Sequence, residues 1–369
     1  MCDLFFIAGE SSGDLHSSHL IKDILSIKPN LNIQGIGGTK MKESGADILF
    51  DYSEINHIGF VNIAKNYFHL KSRLDYTANK ILELSPKILI LCDFPGFNLR
   101  IAEKIKSRFK GKIFYYITPQ VWAWHESRIK KLKSFIDISF VIFPFEKILF
   151  DKEGIKSFYV GNPILKQIDD FLSANSKDNN EVKTVSIMPG SRKEEVTLML
   201  PKLMEIANIL IGKYKYSVNL ICSENIPLDY YKYFIGNSKV NLISPDKSSN
   251  LKAIYNSDFV ITKFGTSNLE CALLNVPFTA VYKASFLNYF IAKLLVKIKF
   301  VSLVNIVMNK EIVKEYIQGD FTTENIILEV QRIFKNEDYR NNMLSEFISL
   351  RKALSDYKDN AAEIICGEL

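Results

Sequence analysis

An aspartate stands directly after one of the most apolar runs of the chain. Asp93 follows the run 88–92 and precedes the segment 94–98 (FPGFN). If the run is a central parallel strand, the carboxylate faces the crevice at the carboxyl end of the sheet, where a general base would sit. Aspartates at strand ends are also often turn residues or helix caps. The segment alone leaves both interpretations open.

A loop of small residues follows the first apolar run. Its members include Gly9, Glu10, Ser12, Gly13 and Asp14. Small residues let backbone amides approach an anionic or sugar ligand at the N-terminus of the next helix, which is expected to begin near Leu15. The glycine spacing differs from the dinucleotide-binding fingerprint, which argues against an oxidoreductase. An ordinary strand-to-helix turn with Asp14 as N-cap explains the segment equally well.

Two loops in the second half of the sequence could hold phosphate and ribose. The first ends in Ser191 and Arg192, and a planar guanidinium beside backbone amides suits phosphate. The second loop contains Gly265, Thr266 and Ser267. It opens a predicted helix whose first amides suit a pyrophosphate, and Glu270, one turn later, could accept hydrogen bonds from ribose hydroxyls. The alternatives are a surface arginine in the first loop and a capping-box start with a surface glutamate in the second.

Two segments combine apolar and basic residues at helical spacing. The first, 57–74, carries Phe60, Ile63, Lys65, Tyr67, Leu70, Lys71 and Arg73. The second, 286–300, repeats the pattern around three lysines. Such helices can lie in a bilayer interface or accommodate acyl chains. A core-facing stripe with a solvated basic flank is the commoner explanation.

Short apolar runs, with helical patterns such as 99–109 between them, must position these loops. The predicted strands are 4–8, 33–36, 88–92, 113–117, 139–143 and 158–160 in the first half, and 184–188, 218–222, 240–243, 259–262 and 278–282 in the second. Continuous rather than alternating hydrophobicity predicts parallel sheets covered on both faces. The fold class is therefore α/β, with two Rossmann-like doubly wound domains. The polar stretch 173–181 is typical of a linker, and a ligand cleft is expected where the carboxyl ends of both sheets face each other.

Composition excludes several classes of protein. With 369 residues and 47% hydrophobic content, the chain is long enough for two domains. The net charge of +6 is spread through helices rather than gathered in one stripe, which argues against nucleic acid as a partner. Five scattered cysteines without metal-ligand spacing predict reduced thiols and no metal site. Neither a signal peptide nor a membrane-spanning run of roughly 20 apolar residues is evident, so we expect a cytoplasmic protein.

Taken together, the motifs occur in an order that resembles the lipid-A-disaccharide synthases, glycosyltransferases of the two-lobed B type (GT-B). The likeness runs nearly end to end. The matching segments are 9–14 (GESSGD), 35–38 (GIGG), 93–98 (DFPGFN), 121–124 (VWAW), 144–146 (PFE), 161–163 (GNP), 189–192 (PGSR), 265–270 (GTSNLE) and 301–305 (VSLVN). Single motifs of this kind are weak, whereas their order along the whole chain is specific.

The resemblance implies an inverting sugar transfer without a protein-bound metal or cofactor. UDP-2,3-diacylglucosamine would donate its sugar to 2,3-diacylglucosamine 1-phosphate (lipid X), which gives UDP and the β-1,6-linked disaccharide precursor of lipid A. The GT-B architecture implied divides the chain into an acceptor and lipid-side domain (1–168), a linker (169–182) and a UDP-sugar domain (183–345). The remaining residues, 346–369, form a helical segment that could cross back to the first domain.

The resemblance also assigns roles to the candidate residues. Asp93 is the implied base, and Asp14 with the loop around it shapes the acceptor side. The implied donor residues are Ser191, Arg192, Gly265, Thr266 and Ser267 on the diphosphate or uridine side, Glu270 on the ribose and Asn305 near the sugar. Acylated substrates favour the interface interpretation of 57–74, so we expect peripheral association with the cytoplasmic face of the inner membrane. A homodimer is left open.

Two rival functions are compatible with the same motifs. One is another GT-B enzyme acting on UDP-N-acetylglucosamine, such as the peptidoglycan N-acetylglucosaminyltransferase or a UDP-N-acetylglucosamine 2-epimerase. An epimerase needs no lipid acceptor, so its first domain should lack an exposed basic amphipathic surface. The other is a catalytically idle binding protein with this fold, against which the joint presence of Asp93, Arg192 and Glu270 argues.

Overall fold

The computed structural model describes residues 2–56, 63–119, 121, 126–178, 181–284 and 299–369, with the side chains of 56, 63–68, 126 and 127 outside the description. The chain forms two compact units. The N-terminal unit consists of Met1–Pro163 together with Asp356–Leu369, and the C-terminal unit consists of Ile164–Ser355. The last residues of the chain therefore belong to the first unit.

A parallel sheet forms the centre of the N-terminal unit. Its described strands are β1 (Leu4–Ala8), β2 (Ile33–Gly37), β3 (Asp47–Asp51), β4 (Ile88–Cys92), β5 (Lys112–Tyr116), β6 (Ile138–Val141) and β7 (Ser157–Tyr159). They are arranged in the order β3-β2-β1-β4-β5-β6-β7. The described helices are α1 (Ser11–Ile27), α2 (Thr39–Glu43), α3 (Ser53–Asn56), α4 (Ile63–Leu84), α5 (Pro95–Ile105), α6 (Glu126–Phe135), α7 (Pro144–Lys152) and, from the end of the chain, α16 (Ala361–Gly367).

Both faces of this sheet are covered by apolar side chains. Every residue of β1 is buried. Phe5 and Ile7 belong to one apolar cluster, whereas Leu4 and Phe6 belong to a second cluster that also contains Ile365 of α16. Neighbouring strand residues point to opposite faces, and each large apolar side chain buried in this way stabilises the fold by about 1.5–3 kcal/mol. The predicted doubly wound α/β fold is therefore confirmed.

The C-terminal unit repeats the arrangement. Its described strands are β8 (Thr184–Met188), β9 (Ser217–Ile221), β10 (Asn241–Ile243), β11 (Phe259–Lys263), β12 (Phe278–Tyr282) and β13 (Glu315–Ile317), parallel and in the order β10-β9-β8-β11-β12-β13. The described helices are α8 (Pro163–Ala174), α9 (Lys193–Gly212), α10 (Leu228–Ile235), α11 (Lys247–Tyr255), α12 (Thr266–Leu273), α13 (Leu303–Met308), α14 (Thr323–Lys335) and α15 (Glu337–Ser355), with a short 3₁₀ helix at Gln318–Asp320.

Two predicted helix starts were wrong, and both helices begin earlier. α1 begins at Ser11 rather than near Leu15, and α5 begins at Pro95 rather than Leu99. Serine, glycine and aspartate are weak helix formers, so their run after Gly9 looked like a loop. Proline fits the first position of a helix because its missing N–H has no partner there and its φ is already helical.

Two of the four edge strands, β3 and β13, were not predicted. The outermost strand on one side of the first sheet, β3, begins and ends with an exposed aspartate, and of its three apolar residues only Phe50 is buried. In the second sheet β13 has three half-buried residues, Glu-Tyr-Ile. Both apolar runs are short: β3 has three apolar residues between two aspartates, and β13 has two after a glutamate. Among the described helices, none combines the length and the hydrophobicity needed to cross a membrane.

Candidate active site

The predicted base lies in a strained turn at the carboxyl end of β4. Asp93 and Phe94 both have a φ of +46°, a conformation that is costly for residues other than glycine. The Asn98 side-chain amide donates to the carbonyls of Cys92 (3.2 Å) and Asp93 (2.7 Å). The Tyr115 hydroxyl also donates to the Asp93 carbonyl, at 2.6 Å. These three hydrogen bonds hold residues 92–98, which we call the Asp93 turn.

The environment of the Asp93 carboxyl group suits proton transfer. Burial raises the pKa of this group, and the backbone N–H of Phe94 opposes that shift by a smaller amount. A raised pKa brings a carboxylate closer to the proton affinity that a general base needs near neutral pH. Asp93 therefore lies at the predicted strand end and has a raised pKa, and its role as the base stays a prediction.

The structure brings the first loop next to the Asp93 turn. Ala8 and Cys92 are paired in the sheet, so the residues that follow them leave the same edge. A Cβ atom added to Gly9 would lie 2.0 Å from Cδ1 of Phe94, which is closer than any real contact. Gly9 is thus required for the Phe94 ring to pack where it does. Nothing in the sequence alone indicated this contact.

Asp14 accepts hydrogen bonds from another helix rather than from the helix to which it belongs. It lies inside α1 and is 4% exposed, and it accepts hydrogen bonds from the backbone N–H groups of Gly38 (2.7 Å), Lys40 (3.2 Å) and Met41 (3.2 Å). The alternative that it caps its own helix was therefore wrong, because it caps α2 instead. A Cβ on Gly38 would lie 2.8 Å from Asp14 Oδ2. Asp14 thus holds the turn at 38–41 beside α1.

The remaining residues of the first loop form the N-terminus of α1. Glu10 is the N-cap residue in extended conformation, Ser12 is exposed, and Gly13 is buried. A Cβ on Gly13 would lie 3.3 Å from that of Ala8. The absence of a side chain at Gly13 therefore allows α1 to approach β1 closely. The first N–H groups of a helix have no intrahelical partner and attract anions. The loop therefore offers backbone donors at the same edge of the sheet as Asp93.

In the C-terminal unit, Arg192 stands at the N-terminus of α9. It follows Gly190 and Ser191 at the carboxyl end of β8, and its side chain is 77% exposed. Its Nη1 atom lies 3.6 Å from Oε1 of Glu195. Because the guanidinium is mostly exposed and the contact is long, this ion pair contributes little to stability, although Glu195 itself is buried. The guanidinium can therefore exchange this carboxylate for a phosphate at little cost.

The structure adds a second cation that the sequence analysis missed. Lys263, the last residue of β11, places its Nζ atom 2.9 Å from the same Oε1 atom of Glu195. The side chains of Lys263 and Glu195 are 21% and 9% exposed. We call Arg192, Glu195 and Lys263 the Glu195 cluster. The only signal in the sequence was a lysine that closes an apolar run just before the predicted loop at Gly265.

The loop at Gly265 leads directly into α12. Thr266, the first residue of this helix, is exposed. The Ser267 hydroxyl lies 2.8 Å from the Thr262 hydroxyl and 3.3 Å from the Lys263 carbonyl oxygen, so it holds the strand-to-helix turn. The helix N-terminus remains a site where a pyrophosphate could meet backbone N–H groups.

Glu270, the predicted ribose residue, is buried and forms an ion pair with Lys247. Lys247 is the first residue of α11 and about half exposed. Nothing in the sequence indicated Lys247 as its partner, because 23 residues separate the two. The pair keeps the buried carboxylate of Glu270 compensated by a cation.

Asn305 does not fit the predicted direct contact with the donor. Its side chain is fully buried, and its Nδ2 atom donates to the Val313 carbonyl (2.8 Å) and to Glu315 Oε1 (2.9 Å). Its Oδ1 atom accepts from the backbone N–H groups of Ile312 (2.8 Å) and Val313 (3.0 Å). An asparagine side chain offers two donors and two acceptor positions. All four are used to hold the segment 312–315.

A model of the lipid-A-disaccharide synthetase family matches residues 4–366 of the chain. Lipid-A-disaccharide synthase 1 of Legionella pneumophila (strain Lens) is 31% identical over 98% of this chain and 96% of its own length. The lipid-A-disaccharide synthase of Nitrosococcus oceani is 31% identical over 94% of this chain and 91% of its own length. The chain belongs to the lipid-A-disaccharide synthase family. It is therefore a glycosyltransferase, as the motifs predicted.

Solved structures confirm the fold of this family member. The Staphylococcus aureus MnaA–UDP co-structure has a TM-score of 0.68 at 12% identity, covering 99% of this chain and 94% of that one. The calicheamicin glycosyltransferase CalG4 has a TM-score of 0.57 at 11% identity, covering 100% and 98%. At such low identity these likenesses concern the GT-B fold alone, and they do not favour an epimerase over a lipid-A-disaccharide synthase.

The predicted membrane segment of this lipid-A-disaccharide synthase family member is only partly described. Phe60 lies outside the described residues, and so do the side chains of Ile63, Lys65 and Tyr67 and most of 286–300. Arg73 forms an ion pair with Glu54, and its guanidinium lies 5.0 Å from the centre of the Phe50 ring. Leu70 and Lys71 line a cavity of about 390 Å³ together with Leu74, Asp75, Arg100, Glu103 and Lys104. In the described part of the chain, no group of three or more His, Cys, Asp or Glu side chains could hold a metal ion.

Proposed function

We propose that this chain transfers 2,3-diacylglucosamine from its UDP derivative to the 6-hydroxyl of 2,3-diacylglucosamine 1-phosphate. The bond between the sugar's anomeric carbon and the UDP oxygen breaks, and a β-1,6 bond to the acceptor oxygen forms. The products are UDP and the disaccharide 1-phosphate. Membership of the family over residues 4–366 supports this reaction. At the level of a single residue, the proposal depends on Asp93, whose partly buried carboxyl group lies at the end of β4 and has a raised pKa.

Asp93 acts as the general base in this proposal. Its carboxylate accepts the proton of the acceptor hydroxyl while that oxygen attacks the anomeric carbon from the face opposite UDP. The configuration at that carbon is therefore inverted. Positioned proton transfer of this kind accelerates a reaction by about 10²–10⁴-fold. The fixed backbone of the Asp93 turn supports the role, because a base must be held within hydrogen-bond reach of the proton it removes.

The C-terminal unit stabilises the departing UDP. The guanidinium of Arg192 and the N-termini of α9 and α12 offer positive charge and backbone donors to the diphosphate. Glu270 accepts hydrogen bonds from the ribose hydroxyls after Lys247 yields one carboxylate oxygen. Asn305 supports the donor side indirectly, through the segment 312–315 that it holds.

The acylated substrates place the reaction at a membrane surface. We propose that 57–74 contacts the cytoplasmic face of the inner membrane and that Lys71, exposed on α4, faces its anionic headgroups. The backbone N–H groups at the N-terminus of α1, from Ser11 to Gly13, receive the acceptor's anionic 1-phosphate. A homodimer stays a prediction.

The direct test is an assay of the purified protein with both lipid substrates. We expect formation of UDP and of a disaccharide 1-phosphate in equal amounts, with no product when the acceptor is omitted. Conversion of UDP-N-acetylglucosamine to its 2-epimer, without disaccharide formation, would establish the rival function. Binding of UDP without turnover of any donor would indicate a catalytically idle protein.

A further inference from the structure

Two cations share one carboxylate oxygen at the N-terminus of α9. Lys263 Nζ lies 2.9 Å and Arg192 Nη1 lies 3.6 Å from Oε1 of Glu195. The Glu195 cluster thus carries one more positive than negative charge. It stands where the backbone N–H groups of the first helical turn add further positive potential. An anionic ligand at this point would meet two side-chain cations rather than the single arginine of the motif.

The position of Lys263 is fixed by its main chain. Thr262 of β11 is paired with Met188 of β8, so Lys263 and the loop containing Gly190 leave the same edge of the sheet. The Lys263 carbonyl oxygen accepts hydrogen bonds from the side chains of Ser267 (3.3 Å) and Asn268 (3.1 Å). Residues at the start of α12 therefore anchor the lysine whose ammonium group reaches the start of α9.

The second carboxylate oxygen of Glu195, Oε2, lies where a side chain on Gly190 would be. Oε2 is buried and makes no hydrogen bond within the described residues. A Cβ on Gly190 would lie 2.7 Å from this atom, and the φ of Gly190 is +121°, which disfavours any other residue. Glu195 is thus pressed against the loop that precedes Arg192. Glu195 holds both cations at this loop. Because both contact the same oxygen atom, Oε1, the single carboxylate charge is shared between them.

We propose that Lys263 is a second cation for the donor's diphosphate and that Glu195 holds it in place until the donor binds. This inference rests on the proposed function. When the diphosphate arrives, the Lys263 ammonium exchanges Glu195 Oε1 for a phosphate oxygen, and no covalent bond changes. The lysine then offsets the negative charge that develops on the leaving UDP. Lys263 extends the donor site from the loop after β8 to the end of β11.

The alternative is a purely structural ion pair that holds two loops together. The two possibilities predict different changes in the affinities for UDP and uridine when the lysine is removed. If Lys263 contacts the diphosphate, its loss weakens the binding of UDP and leaves the binding of uridine, which has no phosphate, unchanged. A structural pair affects both ligands equally, because both would meet the same displaced loops.

The test compares Lys263→Met with the native chain by measuring dissociation constants for UDP and uridine and the donor KM. We expect UDP binding to weaken by about tenfold or more, the magnitude of a lost charge-assisted hydrogen bond, with uridine binding unchanged. Lys263→Arg should recover part of the loss. Lys202→Met is the matched control, since Lys202 forms a partly exposed ion pair with Glu205 (2.9 Å) elsewhere on α9. That control should leave both constants unchanged.

A second variant keeps the proposal testable if Lys263→Met folds poorly. Glu195→Gln keeps the shape of the side chain and releases Lys263, so UDP affinity should be retained or increased. Equal losses for UDP and uridine in Lys263→Met, or a UDP loss in Glu195→Gln as large as that in Lys263→Met, would overturn the proposal. Unchanged UDP binding in Lys263→Met would do the same. Absence of disaccharide formation by a native chain that binds UDP would instead refute the proposed function.

Discussion

Acidic side chains lie at the carboxyl ends of parallel strands or on the helices that follow in both units, and their surroundings differ. In the Asp93 turn, the pKa of the carboxyl group is governed by burial and by one backbone N–H group. In the C-terminal unit, Glu195 contacts Lys263 and Arg192, and Glu270 contacts Lys247. Among the described residues Asp93 has no ion-pair partner, whereas Glu195 and Glu270 are compensated by lysine or arginine.

This difference matches the two halves of a glycosyl transfer. A base must take up a proton, so its carboxylate must not be neutralised by a neighbouring cation, which would lower its pKa. A leaving diphosphate needs cations that can be released to it, and carboxylates can hold those cations until then. The N-terminal unit is therefore suited to moving a proton, and the C-terminal unit to stabilising negative charge.

The largest expected effect concerns the uncompensated acid. Asp93→Asn should lower kcat by about 10²–10⁴-fold, because asparagine tolerates the same backbone conformation but cannot accept the proton. The dissociation constant for UDP should be unchanged, since the variant leaves the C-terminal unit intact. Initial rates and calorimetry would show both. Retention of full kcat would remove Asp93 from the mechanism.

Asp93→Asn should also be more stable than the native chain, because it removes an acid whose charge is disfavoured by folding. A raised pKa in the folded state means that the charged form of Asp93 is disfavoured by folding. The cost is absent below the unfolded-state pKa of about 4 and grows as the pH rises through the folded-state pKa. Asp93→Asn should therefore resist urea better than the native chain at pH 7, with a smaller difference at low pH.

The geometry of the turn can be disturbed without touching its acid. Gly9→Ala would place a Cβ 2.0 Å from Phe94, so the turn must shift, and displacement of a catalytic group by about 1 Å can cost about 10²-fold in rate. UDP binding should not change. Gly96→Ala is the matched control, because nothing lies within 4 Å of its added Cβ. Equal rates for the two variants would show that the position of Phe94 does not matter.

The cation-paired acids should affect binding rather than proton transfer. Glu270→Gln should weaken UDP and uridine alike, by about tenfold, because both ligands carry the ribose. Lys247→Met should weaken uridine binding less than Glu270→Gln does, since it leaves the carboxylate that accepts from the ribose in place. Calorimetric titrations of both ligands would measure this. Equal losses in the two variants would indicate that the pair is structural.

The smallest effect is expected at the proposed membrane surface. Lys65→Glu and Lys71→Glu should each weaken binding to anionic vesicles by at least about fivefold, since the lost positive charge alone contributes about 1 kcal/mol near such a surface and glutamate adds repulsion. Lys110→Glu, at an exposed position between α5 and β5, serves as the control. Co-sedimentation at two ionic strengths would measure the effect. If the control weakens binding as much, the segment 57–74 has no special role.

The sequence predicted the central strands and the loops that follow them, because both depend on local patterns. Continuous apolar runs identify strands buried on both faces, and the polar residues after Cys92 and Met188 mark strand ends. The edge strands β3 and β13 have only short apolar runs next to acidic residues, and neither was predicted. Contacts between distant segments were also beyond the sequence: 68 residues separate Lys263 from Glu195, and Asp14 caps a helix that begins 25 residues later. Such pairs exist only once the sheet has brought two loops to one edge.

The pH dependence of disaccharide formation tests the central claim most directly. A base must be deprotonated, so kcat/KM of the native chain should fall by about tenfold per pH unit as the pH drops through the pKa of Asp93. Because burial raises that pKa, the fall should begin at a higher pH than for an ordinary aspartate. Asp93→Asn should be slow and should lack this acidic limb. A variant that keeps the same limb at a high rate would contradict the assignment of Asp93 as the base.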